Sequence, residues 1–227
     1  YNTNFVDTKK ELYAYNPQKD RASKIVSYLG NIIVNGHNDI SGRVSSNSTV
    51  EVQIPISNTK SEKNNYVKDL QTLGPEKFAK KIKETPYTLI TDTTMRDAHQ
   101  SLLATRMRTD DLVNIAEYYS ENLSNLFSLE CWGGATFDTS MRFLKEDPWD
   151  RLARLNKRAP NLLKQMLFRG SNAVGYKNYP DNVVKHFIQQ SAEAGIDVFR
   201  VFDSLNLIDN MRVAIDEVRN QNKICEG

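Results

Sequence analysis

The chain has 227 residues, with 30 Lys and Arg against 28 Asp and Glu, a formal net charge of +2. That balance excludes a dedicated nucleic-acid binder, for which a strong basic excess is expected. Hydrophobic residues make up 39% of the chain, and the lack of any apolar run of about 18 residues excludes a membrane-spanning helix. Two cysteines, Cys131 and Cys225, build no disulfide framework, which predicts a reducing compartment and a soluble, non-secreted protein. The chain opens on Tyr1 without a signal or transit pattern and stops at Gly227 without a polar tail, so it reads as a piece of something longer.

Asn16-Pro17 is predicted to cap and open a helix, since proline at the first helical position loses no needed N–H. Ala22, Ile25, Val26 and Leu29 follow at helical spacing, and Gly30 sits where a left-handed C-cap is expected. Ile32 to Val34 form an apolar run ending at the turn signal Asn35-Gly36. Residues 1–36 thus read as a small helical segment unable to bury its own apolar face. Residues 37–65 are rich in Ser, Asn, Thr and Lys and read as a polar linker, with strand-like alternation only from Val50 to Ile54. Structure is predicted to resume near Tyr66, with Pro75 opening a helix that buries Phe78, Ala79 and Ile82.

After Pro86 a pattern repeats. Four apolar runs, Tyr87 to Ile90, Leu126 to Leu129, Gln165 to Phe168 and Val198 to Phe202, each lead into a polar loop and then helical periodicity. The helices carry Leu112, Ile115, Ala116 and Tyr119, then stretches at 138–145 and 149–158. Next come Val184, Phe187, Ile188 and Ser191, closed by Gly195, and last Met211, Ala214, Ile215 and Val218. A repeat of roughly 35–40 residues alternating strand and helix predicts parallel strands with right-handed crossovers. The unusual polar residues follow every strand, as a barrel rim requires, whereas a doubly wound sheet concentrates them at one switch point. No Gly-rich phosphate loop follows the first strand. The fold class is therefore α/β: about four βα units, the N-terminal half of a (β/α)8 TIM barrel over residues 66–227, since a full barrel needs about 250 residues.

The loop Asp92-Thr93-Thr94-Met95-Arg96-Asp97-Ala98-His99-Gln100-Ser101 is the densest functional signal. Asp97 can bind a divalent metal and Arg96 an anionic substrate. The plainer alternative is a capped turn in which Asp92 and Asp97 bond backbone and Arg96 pairs with one of them. Asp97 and His99 have D-x-H spacing, but two ligands do not make a site. Arg169, directly after an apolar strand, needs an anion, either a carboxylate substrate or an internal partner such as Glu130 or Asp203. Gly133-Gly134 reads as a tight turn, or else as room for a ligand against the backbone. Tyr176 and Tyr179 read as loop packing, and His37 and His186 as unremarkable. Cys131 has no histidine placed to activate it, and Cys225 reads as a small buried hydrophobe.

Residues 92–106, from Asp92 through Gln100 to Arg106, together resemble the opening strand and loop of the carboxyltransferase domain in the pyruvate carboxylase family. Trp132-Gly133-Gly134-Ala135-Thr136-Phe137-Asp138, Arg169 to Tyr176 with Tyr179 to Asn182, and Asp197 to Asn206 agree with it. The likeness covers essentially everything from Tyr66 onward. Residues 20–36 are similar to the segment that joins the biotin carboxylase part of such enzymes to the barrel.

The resemblance implies a biotin-dependent ligase that makes oxaloacetate from pyruvate. Bicarbonate is activated with ATP and Mg in another domain, and carboxybiotin arrives on a carrier domain outside this chain. By motif position Asp97 is one ligand of a divalent metal (Mn, Zn or similar). Gln100 and Arg169 hold pyruvate, Arg96 orients the site and stabilises the enolate, and Ala98 and His99 line it. Asp138 and Tyr176 match positions around the biotin pocket. Fixed positive groups facing a developing oxyanion favour it over the substrate.

The remaining metal ligands and the biotinyl lysine are expected beyond Gly227, so these residues alone are expected to be inactive. A homotetramer and an acetyl-CoA effector, with Arg21 taking part, are implied as well, in the mitochondrial matrix of an animal or the cytoplasm of a bacterium or fungus. The alternatives are a transcarboxylase or oxaloacetate decarboxylase subunit, or a non-catalytic assembly module.

Overall fold

The computed structural model describes residues 21–37 and 65–227. The chain divides into two compact units, Tyr1–Pro55 and Ile56–Gly227. In the first, helix α1 spans Arg21–Asn35. It runs through Gly30, correcting the expected stop there. The left-handed residue is Gly36 (φ +78°), whose N–H bonds the carbonyl of Ile32 at 2.9 Å. The Ile32–Val34 run is thus the last turn of the helix. The expected cap at Asn16-Pro17, the strand-like stretch at 50–54 and nearly all of the 37–65 linker lie outside the described residues.

The second unit opens with α2 (Tyr66–Lys83), capped by the Asn65 side chain, which accepts from the Lys68 N–H at 2.9 Å. Gly74 (φ +74°, ψ 167°) breaks the helix in two, and Pro75 begins the second half, where its missing N–H does no harm. Phe78 is buried as predicted, whereas Ala79 is exposed and Ile82 half-buried.

Strands β1 (Thr91–Asp92), β2 (Ser128–Gly133), β3 (Leu163–Phe168), β4 (Val198–Val201) and β5 (Ile224–Glu226) follow. They form one sheet in the order β1-β2-β3-β4-β5, every neighbouring pair parallel. Between them lie α3 (His99–Leu103), α4 (Thr109–Asn122), α5 (Gly134–Thr139), α6 (Pro148–Arg158), α7 (Asp181–Glu193) and α8 (Ile208–Asn220). Single π-helical stretches, Thr94–Ala98 and Ser140–Leu144, adjoin α3 and α5. A strand order without reversal has no switch point, as a barrel wall requires, and fits the expected half barrel. Three corrections apply: the first strand is Thr91–Asp92 instead of Tyr87–Ile90, the second is Ser128–Gly133 instead of Leu126–Leu129, and a fifth strand, β5, was not predicted.

Alternation sorts the strand residues onto two faces. Leu129, Cys131, Met166, Phe168, Phe199 and Val201 point outward and pack with Leu112, Ala116, Leu152, Ile188, Ala214 and Val218 of the helices. On α4 the buried residue beside Leu112 is Val113, while Ile115, expected inside, is 41% exposed. The inner face has an apolar end, where Leu163, Val198 and Ile224 pack on Tyr66, Leu70 and Phe78 of α2. Beyond it lies a polar ladder: Thr91 to Ser128 at 2.8 Å, Ser128 to Gln165 at 2.6 Å and Gln165 to Glu226 at 3.2 Å.

Candidate active site

Arg96 is the centre of the arrangement at the C-terminal ends of the strands. The π-helical stretch after β1 turns its side chain over β2, and only 3% of the residue is exposed. Its Nε donates to Glu130 on β2, Nη1 donates to the Gln100 side-chain oxygen at 3.1 Å, and Nη2 lies 3.1 Å from Asp97 Oδ1. Asp92 caps the stretch, accepting from the Thr94 N–H at 2.9 Å. The capped turn with an Arg96–Asp97 pair is therefore present, and it also gathers Arg96, Asp97 and Gln100 around one guanidinium. Ala98 begins the turn into α3 and is half-buried.

His99 is buried, and its Nε2 is 2.8 Å from the Met95 carbonyl. Burial lowers its pKa from the usual imidazole value, although the Met95 contact works the other way. The neutral ring then donates from Nε2 to that carbonyl and keeps Nδ1 as a lone pair.

Arg169, at the exit of β3, makes neither of the ion pairs weighed for it. Its Nη1 donates to the Gly175 carbonyl at 3.1 Å, and its guanidinium lies 4.9 Å from the centre of the Tyr176 ring. Glu130 is instead shared by Arg96 and by Arg200 of β4, whose Nη2 is 2.5 Å from Oε2. Asp203 accepts the backbone N–H groups of Leu207 and Leu205 and the Asn210 amide, which hold its carboxyl below the usual range.

The two glycines after Trp132 have a use that neither expectation contained. A Cβ on Gly134 would sit 2.8 Å from Arg169 Cζ and 2.9 Å from both Arg169 Nη1 and the Val174 carbonyl. One on Gly133 would sit 3.3 Å from Arg96 Cδ. The pair makes room for the chain's own two arginines. The pairing of Glu130 with Arg96 and Arg200 was missed because it joins residues far apart in sequence, and because Glu130 follows the expected run Leu126–Leu129 instead of standing inside it, whereas the structure places it within β2.

Asp138 and Tyr176 share a cleft of about 520 Å³ between α5 and the loop after β3, lined also by Phe137, Met141, Val174 and Tyr179. Asp138 pairs with Arg142 at 3.0 Å, one turn along. Tyr176 is 69% exposed and stacked against Arg169, so the cleft adjoins the arginine site. Cys131 is fully buried, and burial pushes its thiol up to about 12, which leaves it inert. Cys225 is half-buried, with its thiol pushed up to about 11 by the same cause.

Among the described residues no three His, Cys, Asp or Glu side chains group closely enough to hold a metal ion. Asp97 is half exposed and offers one carboxylate already facing Arg96, while His99 is engaged with the Met95 backbone. The residues present do not fit a complete metal site.

No protein-family model matches the chain. Solved structures similar to it include carboxyl transferase domains. One, from Rhizobium etli with pyruvate and biocytin, is 55% identical with a TM-score of 0.72, matching 91% of this chain and 35% of that one. The enzyme in question is pyruvate carboxylase. That of Staphylococcus aureus is 49% identical over 228 residues, covering 100% of this chain. The human mitochondrial enzyme is 47% identical over 225 residues, covering 99%. Over its whole length the chain is similar to a stretch of pyruvate carboxylase, and it spans about 20% of the length of such relatives.

Proposed function

We propose that the chain contributes to pyruvate carboxylation by a biotin-dependent pyruvate carboxylase, as one portion of the carboxyltransferase site that turns pyruvate into oxaloacetate. The observation that carries this reading is the placement of two guanidiniums, Arg96 and Arg169, at the exits of β1 and β3 with Gln100 beside them. Both arginines are fixed by partners within the chain, so their charge is in place before a substrate arrives. Arg169 and Gln100 hold the carboxylate and ketone of pyruvate. Arg96 faces the oxygen on which negative charge grows when a methyl proton leaves. That charge is larger in the enolate than in pyruvate, so the contact lowers the barrier and not merely the ground state.

Asp97 would supply one ligand to a divalent metal, Mn, Zn or similar, whose chemistry would be to polarise the ketone. Ala98 and His99 shape the turn that presents Asp97 and Gln100. Asp138 and Tyr176 form one wall of the biotin pocket, in the cleft next to Arg169. ATP with Mg is used in another domain, the assembled enzyme is a homotetramer, and acetyl-CoA acts near α1, with Arg21 taking part. Residues 1–36 and 37–65 are a joining segment and linker before the barrel portion at 66–227. No helix of the described residues is long and apolar enough to cross a membrane. The compartment is the mitochondrial matrix in an animal and the cytoplasm in a bacterium or fungus.

The test is oxaloacetate formation by the full-length enzyme carrying this sequence, supplied with pyruvate, bicarbonate and MgATP. The unmodified enzyme forms oxaloacetate, and Arg169→Met lowers kcat/KM for pyruvate by at least about 100-fold, as loss of a charged anchor at a reacting group does. Full activity in a folded Arg169→Met enzyme sinks the assignment.

A further inference from the structure

Glu130 is the deepest charge at the site, and none of the roles above uses it. Its side chain is fully shielded from solvent, against 4% exposure for the Arg96 side chain and 34% for that of Arg200. A carboxylate in such a place persists as an ion only when paired. Here two guanidiniums share it, Arg96 through Nε on Oε1 and Arg200 through Nη2 on Oε2. The three residues come from the turn after β1, from β2 and from β4, and β3 lies between the last two. Glu130 therefore ties the Arg96 turn to a strand two places away.

An arginine has five N–H groups in one plane. Glu130 takes the one on Nε, and Gln100 and Asp97 meet Nη1 and Nη2. With the Nε edge pinned, the orientation of the plane is set, and the N–H groups left on the two Nη nitrogens have fixed directions. Gly133 assists, since its missing Cβ lets the Arg96 stem lie against β2.

We propose that Glu130 is a positioning residue for Arg96: it fixes the guanidinium plane so that the Nη groups meet the enolate oxygen, and Arg200 sets a second positive charge against Glu130 Oε2. This rests on the reading of Arg96 as part of a pyruvate site. A purely structural ion cluster would change stability when broken, yet a variant that still folds would keep its kcat.

The experiment uses the full-length enzyme with Glu130→Gln and Glu130→Asp, measuring kcat, KM for pyruvate and thermal melting. Glu130→Gln keeps the shape, removes the charge and turns an amide toward a guanidinium. It lowers kcat by at least about tenfold, a fraction of what losing a transition-state donor costs, with KM within about twofold. Glu130→Asp keeps the charge balance but draws the carboxylate back by one methylene. Its melting temperature stays close to that of the unmodified enzyme, while kcat falls in the same way. If Glu130→Gln does not fold, Glu130→Asp decides alone. Unchanged kcat in a folded variant overturns the proposal, as does a loss confined to KM. An unmodified enzyme that makes no oxaloacetate overturns the pyruvate reading, and this proposal with it. That outcome is distinct from an active enzyme indifferent to Glu130.

Discussion

At the scale of single residues, the site depends on side chains that are absent as much as on those present. Gly134 faces the Arg169 guanidinium on one side and the backbone carbonyl of Val174 on the other, both within 2.9 Å of where a Cβ would be. A flexible arginine can move aside, but a carbonyl fixed in a loop yields less. Gly134→Ala should therefore push Arg169 off the Gly175 carbonyl and away from Tyr176. In the full-length enzyme KM for pyruvate is expected to rise about tenfold or more, the scale on which small misplacements at a reacting centre act, and the melting temperature to fall, because the Val174 backbone must shift as well. Steady-state kinetics alongside a melting curve would check this. The sequence showed that Arg169 needed a partner without showing which, because Glu130 was nearer in pattern than a carbonyl six residues on. It showed two glycines without showing that they served arginines from β3 and from the turn after β1.

The elements around the site are held together by a second buried arginine. Arg151 on α6 is wholly shielded, and it donates to Thr109 Oγ1 at 2.8 Å, to the Met107 carbonyl at 3.0 Å and to Glu146 at 3.0 Å. Glu146 also accepts the Thr109 N–H at 3.0 Å and the Thr109 hydroxyl at 2.7 Å, which joins the start of α4 to the approach to α6. Burial alone would raise the Glu146 pKa, but Thr109 and Arg151 outweigh it and hold the carboxyl below its usual range. A carboxylate with a depressed folded pKa contributes stability that is complete above its unfolded value and is lost as pH falls through the folded one. Glu146→Gln is thus expected to lower stability by roughly 1–3 kcal/mol near neutral pH, and the gap from the unmodified protein should close as pH drops below the usual carboxylate range. Denaturant unfolding at several pH values would show it. A gap unchanged in acid would mean that the charge contributes nothing. Strand and helix alternation was legible because β2, β3 and β4 each contain or adjoin a short apolar run followed by a polar loop. β1 and β5 were misplaced or missed for the opposite reason: a two-residue and a three-residue strand carry too little pattern, and only pairing with a neighbour defines them. The π-helical stretches after β1 and β2 left no periodic trace either.

For the molecule as a whole, five strands in unbroken sequential order place the βα loops at one end of the sheet, where Asp97 is the candidate metal carboxylate. With one candidate carboxylate and no group of three potential ligands among the described residues, the isolated chain is expected to bind Mn or Zn no more tightly than about millimolar, the weak end of carboxylate sites. Titration of the 227-residue chain with Mn, read by the loss of its free-ion magnetic resonance signal, would test this. A micromolar site would mean that ligands beyond Asp97 are already assembled.

Helix α2 has a consequence for traffic. With Tyr66, Leu70 and Phe78 it closes the inner face at the N-terminal ends of β3, β4 and β5, and Phe78 stacks on Phe127 there at 6.3 Å. That end of the face is thus floored by side chains, and the arginines stand at the opposite ends of the strands. Anything bound at the arginines therefore meets the sheet from its open side or from the C-terminal ends of its strands, not through the end that α2 covers.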